Sequence, residues 1–176
     1  MMGNSCDKVK LYKDQDYNKL RSQCRKKKEL FEDPEFLPSK ALLPRESSWQ
    51  RSEIEWLRPH QICHQLNKSL AEEEALKPEL FVGNQDRFDI NQGEIGDCWF
   101  LAPLSTLAEN VHFMERVLPA GQSFDKGNYH GIFKFRFFRL GDWHQVLVDD
   151  RLPTRSVKRN YFINFFDSII IVIICH

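Results

Sequence analysis

The chain has 176 residues, with 25 basic and 25 acidic side chains and a formal net charge of zero. At roughly 100–200 residues per domain, that length predicts one domain, or one domain with a substantial extension. The charge balance argues against nucleic-acid binding, which needs a surplus of Lys and Arg, and a 41% hydrophobic fraction with 14 Phe excludes a disordered tail.

The N-terminus is polar and lacks an apolar signal core. Its opening residues do not fit an acylation signal, because Gly3 follows a second Met and Asp7 stands where Ser or Thr is wanted. Five cysteines (Cys6, Cys24, Cys63, Cys98 and Cys175) are scattered without a CxxC pair. Such a set predicts free thiols in a reducing compartment, so the chain is expected to be cytoplasmic. Adjacent Cys63 and His64 do not have the spacing of a tetrahedral zinc site.

Tyr17, Leu20, Cys24 and Phe31 recur at helical spacing beneath Arg25-Lys26-Lys27-Lys28, which predicts an amphipathic helix with a solvated basic face. Phe31 to Pro38 reads as a proline-punctuated packing arm. Lys68 to Lys77, with Glu72-Glu73-Glu74, reads as an exposed helical insert. Seven of the eight glycines lie after residue 80, so the composition changes there.

His130 to Val148 is the clearest local structure. Phe133, Phe135 and Phe137 alternate onto one face, with Ile132, Lys134, Arg136 and Phe138 on the other. Gly141-Asp142 is expected as a Gly-first two-residue turn, followed by the alternation Trp143, Gln145, Leu147. Asp149 and Asp150 form the polar exit of this hairpin. Neighbours in an extended strand point to opposite faces, so they are not a carboxylate pair sharing a proton. Near the end, the six apolar residues Ile169 to Ile174 fall far short of the roughly twenty needed to span a bilayer. An aggregation-prone strand is expected there, without stable membrane insertion.

The segment that carries chemistry is Asn91-Gln92-Gly93-Glu94-Ile95-Gly96-Asp97-Cys98-Trp99-Phe100-Leu101-Ala102. Asp97 is a good N-cap, and Phe100, Leu101, Leu104 and Leu107 supply a helical apolar face. Cys98 then falls in the first turn of a helix, where free N–H groups and the macrodipole favour thiolate. Gln92, on the glycine-rich turn, is placed to donate a side-chain N–H beside the backbone N–H of Cys98, a two-donor oxyanion hole. The plain alternative is a buried cysteine opening a core helix. Gln, glycines, cap and Trp arriving together favour the nucleophile. Pro103, at the sixth helical position, removes a helical hydrogen bond and predicts a kink.

This motif resembles the nucleophile motif of the calpain family of cysteine proteases almost position for position. Further matches are Trp56-Leu57-Arg58-Pro59, Leu80-Phe81-Val82 through Asp89-Ile90, and Trp143 through Val148-Asp149-Asp150-Arg151-Leu152-Pro153. The resemblance implies an α+β fold, the first, cysteine-bearing half of a two-part papain-like protease core. Residues 1–79 would be an N-terminal helical and extended arm, 80–155 the half-core, and 156–176 a divergent tail that is not native family sequence. It implies Cys98 as nucleophile and Gln92 as oxyanion-hole residue. It also implies calcium as cofactor, drawing the two halves together. Val82 and Asp89 match two metal-ligand positions. Asn84 stands where the family has Gly, its backbone carbonyl still available because Asn tolerates left-handed conformations. Arg87 resembles an arginine of the calcium-linked switch.

The implied partners are protein substrates and the second half of the core, with no nucleic acid. The family's catalytic His and Asn belong to that second half. His112 and His130 lack their surrounding motif, His144 sits on the hairpin as a surface or satisfied histidine, and His176 ends the divergent tail. These residues alone are therefore expected to be inactive. The alternative is a non-enzymatic truncated isoform acting as a calcium- or protein-binding module.

Overall fold

The computed structural model describes residues 9–37, 54–68, 75–80, 102–103, 106–107, 109–157, 160–162 and 174–175. Strand β1 (Lys10–Leu11) leads through a 3-10 turn (Tyr12–Asp14) into helix α1 (Tyr17–Lys27). Asp16 caps α1 by accepting from the Lys19 N–H at 2.8 Å. Arg25, Lys26 and Lys27 occupy its last turn, where cations complement the helix dipole. Lys28 then turns left-handed (φ 56°), and the Glu29 N–H closes the end on the Cys24 carbonyl at 3.1 Å. Tyr17, Leu20 and Cys24 face inward and the basic run is exposed, as the stripe predicts. Phe31 lies past the helix end but joins the same cluster, because the arm folds back beneath α1.

Strand β2 (Ile54–Leu57) is followed by helix α2 (Pro59–Asn67), which the sequence reading missed. Its signals are a proline at the first helical position and Ile62, Cys63 and Leu66 on one side. The Arg58 N–H donates to Gln61 Oε1 at 2.8 Å and closes the first turn. The described end of the expected helical insert is not helical: residues 75–77 are irregular and lead into β3 (Pro78–Glu79). The Asn67 side chain stitches this return, donating to the Leu76 carbonyl at 2.9 Å and accepting from its N–H at 2.7 Å. That is local turn chemistry of a polar side chain, which competes with continued helix.

Ala102 and Pro103 are helical, so Pro103 does sit inside a helical stretch. The Thr106 hydroxyl donates back to the Ala102 carbonyl at 3.2 Å. Helix α3 (Val111–Val117) is capped by Asn110, which accepts from the His112 and Phe113 N–H groups at 3.1 and 3.3 Å.

The hairpin forms as expected from strands β4 (Ile132–Arg139) and β5 (Asp142–Asp149). Its turn is shifted by one residue: Arg139 pairs with Asp142, leaving Leu140-Gly141 as the two-residue loop. Both loop residues have positive φ (52° and 87°), the requirement of a type I′ turn, so Gly stands second rather than first. Strands β6 (Leu152–Val157), β7 (Asn160–Phe162) and β8 (Ile174–Cys175) follow.

Among the described residues the strands form three sheets, with orders β1-β5-β4, β2-β6-β7 and β3-β8. The hairpin is buried on both faces. Phe133 and Phe135 pack with Leu57, Ile62, Phe124 and Leu152 on one side. Ile132 and Leu147 pack with Tyr17 and Phe31 on the other. The arm and the segment after residue 80 therefore share one core. No helix among the described residues is long and apolar enough to cross a membrane.

Phe133 is 1% exposed, whereas Phe138, beside the hairpin turn, is 62% exposed. Phe133→Ala is expected to lower unfolding free energy by about 3–5 kcal/mol in urea titration. Phe138→Ala should stay within about 0.5 kcal/mol of the parent. Similar losses for both would contradict burial of Phe133 in the core beside an exposed Phe138.

Candidate functional site

The sequence-predicted site residues Val82, Asn84, Arg87, Asp89, Gln92 and Cys98 all lie outside the described residues. On its N-terminal side, the described chain runs from β3, paired with β8, to Leu80, which is buried in the first core cluster. The described histidines have other surroundings. His60 stands edge-on to Tyr129 and Phe124, with ring centroids 4.8 and 5.8 Å away. His144 pairs across the hairpin with Phe137. His130 is held below the ordinary imidazole range by burial and then by Arg21 and Arg25. Among the described residues, no group of three His, Cys, Asp or Glu side chains is arranged to hold a metal.

The chemistry that the structure does place lies at the end of the hairpin. Asp149 and Asp150 diverge, as their adjacency in an extended chain requires. Asp149 takes Arg151, whose Nη2 approaches Oδ2 at 2.6 Å, together with the Asp33 N–H at 2.9 Å. Arg151 Nη1 also reaches Glu32 at 3.2 Å. Asp150 is wholly buried, and this corrects its reading as a polar exit: it points inward, not toward solvent. Its Oδ1 is paired with Arg58 Nη1, and its Oδ2 accepts from the Tyr129 hydroxyl at 2.5 Å. The second arm of the Arg58 guanidinium donates to the Phe31 carbonyl at 2.9 Å.

Burial pushes the Asp150 carboxyl above the ordinary aspartate range, against the opposing pull of Arg58 and of the Tyr129 O–H. Burial, followed by the Asp150 charge, pushes the Tyr129 phenol well above the ordinary tyrosine range. Gly131 makes room for the guanidinium. A Cβ there would lie 2.5 Å from Arg58 Nη1, and its φ of +69° disfavours any L side chain. Sequence reasoning quoted Arg58 and Asp150 within family-like stretches but did not join them, because they lie 92 residues apart. The available signal was an Asp-Asp pair in an extended strand, one of which must face the core.

Residues 31–168 match the model of the calpain family cysteine proteases. The chain belongs to the calpain family. It is 42% identical over 147 residues to Calpain-A of Drosophila melanogaster, which covers 84% of this chain and 16% of that protein. It is 41% identical over 158 residues to the calpain-2 catalytic subunit of Homo sapiens, covering 86% of this chain and 20% of the relative. For calpain clp-1 of Caenorhabditis elegans the figures are 42% over 147 residues, 84% and 17%. The chain thus spans a fifth or less of the length of these three relatives. The family match includes Gln92 and Cys98, and also Phe31, Arg58, Tyr129 and Asp150 of the buried cluster.

Tyr129→Phe leaves Asp150 Oδ2 without its donor, and should cost about 1–3 kcal/mol below pH 9. The pH dependence follows from linkage. An unfolded tyrosine titrates near pH 10, whereas folded Tyr129 keeps its proton above that pH. Its contribution is therefore complete below about pH 10 and is lost as pH rises further, at a slope approaching about 1.4 kcal/mol per unit. Urea titrations from pH 8 to 11 should show the parent falling toward the Tyr129→Phe variant above pH 10. A constant difference across that range would contradict the buried phenol–carboxylate bond.

Proposed function

We propose that these residues form the cysteine-bearing part of a calcium-dependent, papain-like cysteine endopeptidase acting on protein substrates in the cytoplasm. The family match over residues 31–168 carries this reading, since it spans the whole nucleophile segment. In it, residues 1–79 are the arm and 80–155 the half-core, and the divergent tail proposed for 156–176 overlaps the family match as far as residue 168.

Cys98 is the nucleophile. As thiolate it attacks the scissile carbonyl carbon, and the carbonyl electron pair moves onto oxygen. That oxyanion accepts hydrogen bonds from the Gln92 side-chain N–H and the Cys98 backbone N–H, the donor pair of an oxyanion hole. Collapse forms the thioester and expels the amine, which must be protonated as it leaves. Water then hydrolyses the thioester and restores the thiol. Both steps need a proton-transferring base, oriented by a third group. In the family reading that base is a histidine of the second half, so these 176 residues alone do not turn over substrate.

The proposed metal set fits calcium by donor chemistry. Asp89 offers a carboxylate, while Val82 and Asn84 offer main-chain carbonyls, all hard oxygen donors of the kind calcium takes. Bound there, calcium supplies a fixed positive charge that holds this segment in one conformation. Arg87 lies between Asn84 and Asp89 in sequence, and by its resemblance to the family's switch arginine would couple metal occupancy to the neighbouring chain.

The purified chain with calcium should leave an unfolded protein substrate intact. Turnover that Cys98→Ala abolishes would contradict the missing base. A longer chain that supplies the second half should cleave the same substrate, and lose at least about 10³-fold in rate on Cys98→Ala. Iodoacetamide near neutral pH should modify Cys98 at least about tenfold faster than Cys63, which is 3% exposed. Equal rates would remove the helix-terminus activation from the reading.

A further inference from the structure

Among the described residues, strand β4 lies at the edge of its sheet. The Gln122 side chain brackets one point of that edge, with Nε2 donating to the Lys134 carbonyl at 3.0 Å and Oε1 accepting the Lys134 N–H at 2.7 Å. In an antiparallel strand the N–H and C=O of one residue point to the same side, and successive residues alternate. Lys134 therefore turns its main chain away from β5, and so do Arg136 and Phe138. Past Gln122, the N–H and C=O groups of Arg136 and Phe138 find no partner among the described residues. Open edges of this kind are templates for another strand.

The same stretch carries unneutralised charge. Lys134 and Arg136 share the face on which α1 packs, and Lys134 Nζ sits 4.7 Å from the centre of the Tyr17 ring. Arg21, one helical turn after Tyr17, donates to Asn128, and Arg25 lies a turn further on. Among the described residues none of these four cations enters an ion pair. The Nε atoms of Arg21 and Arg136 are buried without an acceptor among the described residues. Burial and then Arg136 and Arg21 hold the Lys134 ammonium below the usual lysine range, so these cations are close enough to repel one another. On the opposite face the edge is apolar, with Phe135 buried in the first core cluster and the half-buried Phe137 packed against it.

We propose that the β4 edge at Arg136–Phe138 captures an extended segment of a partner protein by strand addition, and that this segment alternates acidic and apolar residues. Successive side chains of an added strand fall on opposite faces. One set then meets Lys134, Arg136 and Arg21, and the other meets the half-buried Phe137. The unpaired main-chain groups supply affinity and the two faces supply selectivity, the usual division in strand addition. A lipid surface cannot satisfy a strand edge, and the net charge of zero disfavours nucleic acid.

The test is titration of an eight-residue peptide of alternating Glu and Val into the full chain, followed by amide hydrogen exchange. The amides of Arg136 and Phe138 should gain at least tenfold protection. Arg136→Glu should weaken binding at least tenfold with unchanged circular dichroism. If that variant misfolds, Arg25→Glu, at an exposed helical position, should still weaken it about threefold. The same peptide with two central prolines, or with Lys in place of Glu, should bind at least tenfold more weakly. Equal binding of the proline or lysine peptide would overturn the proposal. So would absence of protection at Arg136 and Phe138, or protection by phosphatidylserine vesicles but not by the peptide.

Discussion

A carboxylate with no exposed surface organises this chain. Removing Asp150 from water is costly unless both of its oxygens find donors, and here a guanidinium takes one and a phenol the other. Each donor commits a different part of the chain. Arg58 immediately precedes α2 and, through its second arm, holds the Phe31 carbonyl. Tyr129 belongs to the turn before β4 and packs on Phe124 and His60. The arm, the start of α2, that turn and the end of the hairpin therefore meet at one buried charge. Gly131 belongs to the same solution, since a side chain there would occupy the guanidinium's place.

Around that point the hairpin acts as a partition. Its phenylalanine face is covered by α2, α3 and β6, and its Ile132/Leu147 face by α1 and the arm. The arm is bound by its own interactions as well: the Phe31 N–H donates to the His130 carbonyl at 2.9 Å, and the Asp33 N–H to Asp149. Asp149 and Asp150 thus divide one task. The first fixes the arm near the surface with Arg151, and the second fixes it from the interior through Arg58.

What was legible in the sequence was local and periodic. The alternation through Phe133, Phe135 and Phe137 gave the hairpin and its faces, and the spacing of Tyr17, Leu20 and Cys24 gave the buried side of α1. The turn was displaced because Leu140 adopts positive φ, which side-chain identity disfavours and only the paired strands impose. Helix α2 escaped because nine residues with two histidines and two glutamines carry a weak apolar signal. The Arg58–Asp150 pair was not legible at all, since periodicity says nothing about which distant residues meet. The nucleophile segment was legible as chemistry, because cap, glycines, Gln and Cys keep a fixed local spacing. Its geometry lies outside the described residues, so the reading of Cys98 and Gln92 rests on sequence and on membership of the calpain family.

The central structural claim is that Arg58 couples the arm to the hairpin by holding Asp150 and the Phe31 carbonyl at once. Arg58→Lys keeps the charge but removes the planar fork that reaches both acceptors. Amide hydrogen exchange on that variant tests the claim most directly. Protection at the Phe31 and Asp33 amides should fall at least tenfold, while the β4–β5 amides at Phe133 and Phe135 keep theirs. Unchanged protection in the arm, or a uniform loss throughout the chain, would contradict it.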